Sequence, residues 1–170
     1  MQIVLIGYMG SGKSSIGKSL AHKLKIPFID LDQYIAEKEQ LSVTEIFKSK
    51  GEIYFRKKET LYLQEILNDV NPAILATGGG TPCFGNNIDL LKKKSKTIYL
   101  KTSINTLVNR LLLNKHKRPL ISHISDDDLL EFIGKHLFER APYYQQSEFV
   151  VSTDGKTIKE ITAEIESILS

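Results

Sequence analysis

The chain of 170 residues has no tryptophan and a single cysteine, Cys83. One cysteine excludes an internal disulfide and suits a reducing compartment. Cys83 has no histidine near it in sequence, so a small packed residue is expected there rather than a nucleophile. No apolar run approaches the roughly twenty residues of a membrane span. The N-terminus has no basic segment ahead of its short apolar stretch, which argues against a secretion signal. His22, His116, His123 and His136 show no metal-ligand spacing. Charge of one sign is scarce too: 23 Lys+Arg against 20 Asp+Glu leave a net +3, too little to argue for nucleic acid. The basic run Lys92-Lys93-Lys94 with Lys96 lacks interleaved aromatics apart from Tyr99, and reads as a solvated helix end. No repeat, linker or low-complexity tract divides the chain. The expectation is one cytoplasmic domain, 1–170, monomeric, with neither membrane nor nucleic acid as a partner.

Arginine is the last scarcity. Only Arg56, Arg110, Arg118 and Arg140 occur among the 23 basic residues. Where a lysine-rich chain places arginine, bidentate recognition of carboxylate or phosphate is the first expectation.

What is present begins with Gly7-Tyr8-Met9-Gly10-Ser11-Gly12-Lys13-Ser14, which fits the phosphate-loop pattern G-x-x-x-x-G-K-[ST]. The context is right. Gln2-Ile3-Val4-Leu5-Ile6 before it reads as a buried strand. Residues 15–24 after it place Ile16, Leu20 and Leu24 on one helical face. Glycines let backbone N–H groups wrap a polyphosphate, and the helix N-terminus adds its dipole. Gly10, Ser11, Gly12, Lys13, Ser14 and Ser15 are therefore the expected ATP-binding set. Lys13 can reach the β- and γ-phosphates, and the Ser14 hydroxyl can ligate Mg²⁺.

Further apolar runs at 27–29, 73–76, 97–100 and 149–151 read as strands, alternating with helical patterns at 33–39, 52–68, 87–94, 103–113, 126–140 and from 158 onward. Ser42-x-x-Glu45 is a capping box opening another helix, which Gly51 can close. Strands alternating with helices predict an α/β fold, a parallel sheet covered on both faces. Between them, 114–125 lapses into His, Lys, Arg, Pro and Ser and is expected to be a mobile loop. Ligands gather at the carboxyl ends of such strands, where Gly7, Asp30, Asp32 and Gly78 fall by sequence position.

Asp30 and Asp32 are two apart, so in extended backbone they would point the same way. One could serve Mg²⁺ and the other deprotonate a hydroxyl, while a helix N-cap is the plain alternative for Asp32. Gly78-Gly79-Gly80 after a buried strand suggests backbone approached closely by a ligand, against a merely flexible turn. The strand before it ends in no aspartate, which shifts metal duty toward Asp30. Arg118 lies in the 114–125 loop, where a closing cation would stabilise a transferring phosphoryl group. Arg140 stands at a helix end, a favourable place for a cation by dipole alone. Arg110 is assigned to the surface.

Together these pieces resemble the shikimate kinases, small P-loop kinases of the nucleoside-monophosphate-kinase type. The resemblance rests on the phosphate loop through Ser15, Asp30-Leu31-Asp32, Gly51-Glu52-Ile53-Tyr54-Phe55-Arg56, Thr77-Gly78-Gly79-Gly80, Arg118-Pro119-Leu120 and Arg140-Ala141-Pro142-x-Tyr144, in the family's order from residue 1 to about 153. It implies a five-stranded parallel sheet in the order 2-3-1-4-5 with a mobile lid, and transfer of phosphate from ATP to shikimate in aromatic amino-acid synthesis. It also implies roles. Lys13 and the loop hold phosphates, Ser14 and Asp30 serve Mg²⁺, and Asp32 is the candidate base on the substrate hydroxyls. Arg56 and Arg140 clamp the shikimate carboxylate, Gly79 with Gly78 and Gly80 offers backbone, and Arg118 sits on the lid. One departure is Gln145-Gln146-Ser147-Glu148, where the family usually carries an acidic pair followed by Ala-Asp; it leaves the adenine side near 152–154 unassigned. Rival readings are a gluconate kinase, a nucleoside-monophosphate kinase and a non-catalytic nucleotide switch.

Overall fold

The computed structural model describes residues 1–170. Five strands form one parallel sheet: β1 (Gln2–Ile6), β2 (Phe28–Asp30), β3 (Ile74–Ala76), β4 (Ser95–Lys101) and β5 (Phe149–Ser152). Their order is β2-β3-β1-β4-β5, as the resemblance implied. Eight helices accompany them: α1 (Lys13–Leu24), α2 (Leu31–Glu39), α3 (Val43–Lys50), α4 (Glu52–Asn68), α5 (Asn87–Lys94), α6 (Ile104–Leu113), α7 (Asp126–Tyr144) and α8 (Ile158–Leu169). None is long and apolar enough to cross a membrane.

The pleat divides the core in two. On one face Leu5, Ile74, Ile98, Leu100 and Val151 meet Ile16 and Leu20 of α1 and Ile161 and Ile165 of α8. On the other, Val4, Ile6, Leu75 and Tyr99 meet Leu31, Leu63, Leu91, Leu107 and Ile133 of the remaining helices. Successive strand residues thus serve opposite layers, as a period of two requires. Each large apolar side chain withdrawn from water contributes about 1.5–3 kcal/mol, so the strand ends that carry the loops stand on a rigid base.

The capping box forms as read. Ser42 N–H donates to Glu45 Oε2 at 2.7 Å, and Glu45 N–H donates to Ser42 Oγ at 3.2 Å. Gly51, at φ 84°, ends α3 and opens α4, a backbone state that side chains disfavour.

Three expectations need correction. α2 begins at Leu31 rather than Gln33, because the Asp30 carboxylate accepts from the N–H groups of Asp32 and Gln33 and draws the helix start to the strand end. α7 does not stop at Arg140 but runs through Pro142 to Tyr144. Pro142 lies in the last turns and removes only one amide, and Gln145 N–H still bonds Ala141 O at 2.9 Å. Residues 114–125 are not patternless either. Lys115–Lys117 form a 3-10 turn, and Ile121 is fully buried as part of the larger core cluster. Lys115 Nζ joins the two ends of the segment, donating to Ile124 O at 2.6 Å and pairing with Asp126.

Candidate active site

At the carboxyl ends of β1, β2 and β3 lies a cleft of two lobes. One, of about 370 Å³, is lined by Gly10, Gly12, Lys13, Ser14, Ser15, Asp30, Thr77, Arg110, Leu111 and Asn114. The other, of about 330 Å³, is lined by Val43, Phe47, Phe55, Arg56, Glu59, Gly80, Lys117, Pro119, Leu120 and Arg140. Met9, Asp32, Gly78, Gly79 and Arg118 belong to both and mark the junction. Six cations and three carboxylates line the cleft, a balance suited to anionic ligands.

The first lobe is built by the phosphate loop. Gly10 and Gly12 hold φ 82° and 95°, which glycine adopts without strain. Gly12 caps α1 with no side-chain bond, and the first turn holds no acidic residue. By contrast α2, α3, α6, α7 and α8 are capped by Asp30, Ser42, Ser103, Ser125 and Thr157. The free N–H groups of α1 are therefore left for an anion. Lys13 Nζ donates to Gly7 O (2.7 Å) and Tyr8 O (2.9 Å), folded back along its own loop. Burial lowers its pKa to about 8, although Asp32 and Asp30 pull the other way. Ser11 is buried, with its hydroxyl close to Gly7.

Asp30 and Asp32 meet at the junction, but not as parallel side chains of an extended strand. Asp30 is the cap and Asp32 the second residue of α2, so helix geometry rather than strand pleat aims them. Asp30, not Asp32, does the capping. Its other oxygen, Oδ2, accepts from Ser14 Oγ at 2.9 Å. Asp32 is pushed up to about 6, first by burial and then by the neighbouring Asp30 and Glu59 carboxylates, against the pull of Lys13 and Arg56.

The triple glycine has a reason that the sequence did not disclose. None of the three has a positive φ. Each instead leaves room for a charged side chain of the protein itself. A Cβ on Gly78 would meet Asp32 Oδ1 at 3.1 Å, one on Gly79 would meet Arg140 Nη1 at 3.1 Å, and one on Gly80 would meet Arg56 Nη2 at 2.7 Å. The glycines thus bring the base candidate and both arginines around one short backbone stretch.

Two residues of the site were missed or misplaced. Arg110 is not a surface residue: it reaches back from α6, and Nη1 donates to Gly10 O at 3.1 Å. Glu59 is 1% exposed, pairs with Arg56 Nη1 at 2.8 Å and accepts from Thr81 Oγ1 at 2.6 Å. Arg56 also stacks on Phe84, 3.9 Å from the ring centroid. The signal for Glu59 was legible, since it interrupts the buried stripe Phe55, Tyr62, Leu63 and Ile66 of α4, and a buried acid needs a partner. Arg110 gave no such signal, because its polar neighbour is a backbone carbonyl 100 residues away.

A cleft with a phosphate loop on one side and two arginines around a glycine backbone on the other is the arrangement the resemblance implied. A sequence model of the shikimate kinase family matches residues 9–170. The chain belongs to the shikimate kinase family. It is 48% identical to a shikimate kinase of Flavobacterium johnsoniae over 99% of both chains, and 40% identical to one of Bacteroides thetaiotaomicron over 91% of this chain and 87% of that one. Among solved structures, the B. thetaiotaomicron shikimate kinase superposes with a TM-score of 0.92 at 37% identity, covering 99% of this chain and 98% of that one. The Acinetobacter baumannii shikimate kinase in complex with shikimate superposes at 0.87 with 30% identity, covering 99% and 92%.

The family's Mg²⁺ fits the residues present. The Ser14 hydroxyl and Asp30 carboxylate converge at 2.9 Å as hard oxygen donors. No group of three His, Cys, Asp or Glu is assembled anywhere, so an all-protein cage is absent. That suits Mg²⁺, which is held through one or two protein oxygens with water and nucleotide phosphates completing its shell.

Proposed function

We propose that this chain transfers the γ-phosphoryl group of ATP to the 3-hydroxyl of shikimate, giving shikimate 3-phosphate and ADP. The observation that carries the reading is the pair of lobes sharing Asp32: a phosphate-loop lobe and a lobe lined by Arg56 and Arg140 meet at one carboxyl whose pKa is raised to about 6. ATP lies along the first lobe with its phosphates on the loop amides and the uncapped start of α1. Lys13 exchanges the carbonyls of Gly7 and Tyr8 for β- and γ-phosphate oxygens. Ser14 and Asp30 supply the protein's donors to Mg²⁺, which when bound neutralises phosphate charge. Shikimate occupies the second lobe, its carboxylate between Arg56 and Arg140 and its ring against Val43, Phe47 and Phe55. The Gly78, Gly79 and Gly80 backbone faces the hydroxyls.

Asp32 takes the proton from the attacking hydroxyl as its oxygen bonds to the γ-phosphorus. The bond to the β-phosphate oxygen breaks, and ADP leaves. A base with a pKa near 6 is ionised at neutral pH yet close enough to it to accept a proton readily. Arg118, which lines both lobes, faces the transferring charge, and 114–125 acts as a lid closing on its Ile121 root. All these groups come from one chain, which supports action as a monomer.

The test is ADP release from Mg-ATP with shikimate, set beside gluconate and AMP as acceptors. Release that depends on shikimate alone establishes the reaction. Tight ATP binding without release for any acceptor would replace it with a nucleotide switch.

A further inference from the structure

Tyr8 lies in the middle of the phosphate loop, yet neither lobe of the cleft is lined by it. It is 1% exposed, and its hydroxyl is hydrogen-bonded to Nδ1 of His136 on α7 at 2.8 Å. The rings meet edge to face with centroids 5.4 Å apart, and Phe132, one turn earlier on α7, packs on the imidazole at 5.5 Å. On its backbone side, the Tyr8 carbonyl accepts from Lys13 Nζ at 2.9 Å and from Ser11 N–H at 3.1 Å. One residue therefore holds the loop lysine with its main chain and α7 with its side chain.

His136, Arg140 and Tyr144 follow at four-residue spacing and so share one face of α7. Along that face, His136 bonds Tyr8, Arg140 Nη1 lies against Gly79, and the Tyr144 hydroxyl donates to Gly79 O at 2.6 Å. Arg140 is thus flanked one turn on either side by a bond that fixes α7 to a different half of the site. Tyr144 ties it to the glycine stretch and His136 to the phosphate loop.

We propose that Tyr8 and His136 are a positioning pair, whose hydrogen bond sets the helix carrying Arg140 against the phosphate loop and so fixes the carboxylate clamp relative to the transferring phosphate. The proposal rests on the reaction proposed above. Both groups are suited to a neutral pairing: burial raises the Tyr8 phenol to about 12, and burial together with the nearby Arg140 charge lowers the pKa of His136. The Glu139 carboxylate on the same helix pulls the other way. A part-buried neutral bond between a buried phenol and a half-buried imidazole fixes relative position, whereas loss of one partner leaves the other unpaired.

The experiment is steady-state kinetics on the full chain for Tyr8→Phe, His136→Leu, the double variant and His136→Asn, with thermal unfolding of each. Tyr8→Phe keeps the ring and removes only the hydroxyl. His136→Asn retains a polar atom near the Nδ1 position that can pair with the hydroxyl in either sense. Tyr8→Phe and His136→Leu are each expected to raise the KM for shikimate about three- to ten-fold, the range of one part-buried hydrogen bond, with the KM for ATP within two-fold of wild type. The double variant should be no worse than the poorer single, because one bond is lost in all three. His136→Asn should return the shikimate KM to within two-fold. General loosening of the fold would instead lower the melting temperature and kcat while leaving the shikimate KM unchanged, and that result overturns the pair, as does additivity in the double variant. Wild-type turnover separates the two levels. Its absence with shikimate overturns the assigned reaction, whereas an active wild type with an unmoved shikimate KM in the variants overturns only the positioning role.

Discussion

Replacing Asp32 by asparagine should make the protein more stable and nearly inactive, and the size of the first effect follows from the site. Asp32 is held at about 6 against an ordinary 3.8, chiefly by burial and by the carboxylates of Asp30 and Glu59. A raised carboxyl pKa means that the folded state binds the proton more tightly than the unfolded chain. Below about pH 3.8 both states are protonated and the group has no effect. Between 3.8 and 6 stability falls as pH rises, and above 6 the full cost of holding the charge is present. A shift of about two units at 1.36 kcal/mol each puts that cost at about 3 kcal/mol. Asparagine removes the charge but leaves an amide to satisfy, at about 1 kcal/mol, so Asp32→Asn should gain about 1–2 kcal/mol at pH 7.5. For a chain of this length that is a rise of about 2–8 °C in melting temperature. Thermal unfolding from pH 4 to 8, for wild type and variant, should show the advantage largest above pH 6 and shrinking toward pH 4. Turnover of the variant should fall by about 10²–10⁴-fold with ATP affinity retained. An advantage independent of pH, or a variant less stable than wild type at pH 7.5, would refute the argument that burial of this charge sets its pKa. Near-normal kcat would remove Asp32 from the base role.

The same reasoning gives the wild-type kcat/KM an acid limb near pH 6 rather than near 4, with activity lost as pH falls through it; a limb near 4 would assign the base elsewhere. Gly80→Ala places a Cβ 2.7 Å from Arg56 Nη2 and should raise the shikimate KM at least ten-fold while sparing the ATP KM, whereas equal effects would detach Arg56 from the acid lobe. Arg140→Ala should likewise act on shikimate far more than on ATP in initial-rate kinetics, by about 2–5 kcal/mol if it pairs with the buried carboxylate. Amide exchange should be fast at Leu120 and His123, whose N–H groups have no backbone acceptor, and slower at Ile121 and Ser122, which both donate to Arg118 O, and the fast positions should slow with ADP and shikimate bound. Absence of that protection would retire the lid.

Much of this protein was legible along the chain, because its determinants are local. The phosphate loop needs glycines at fixed spacing between a strand and a helix, and Gly10 and Gly12 adopt the backbone states that spacing implies. The Ser42 and Glu45 box closes within four residues. Short apolar runs marked the five strands and implied a sheet covered on both faces, while their order came through the family resemblance. Elements failed where a contact distant in sequence outweighed local pattern. The 114–125 segment reads as polar and irregular, but Ile121 joins the larger core cluster and burial of that one side chain gives the segment a root.

The site divides in the same way. Which residues carry charge near the strand ends was determined by sequence order, since a parallel sheet delivers each loop to the same edge. How they face one another was decided only by the tertiary structure. Arg110 turns inward because a carbonyl of Gly10 awaits it across 100 residues, and Glu59 is tolerated in the core because Arg56 and Thr81 satisfy it there. The pKa of Asp32 is likewise a property of the assembled site. Asp30 stands beside it in the sequence, but the burial that contributes most and the Glu59 carboxylate do not act until β1, β2, β3 and α4 have brought their ends together.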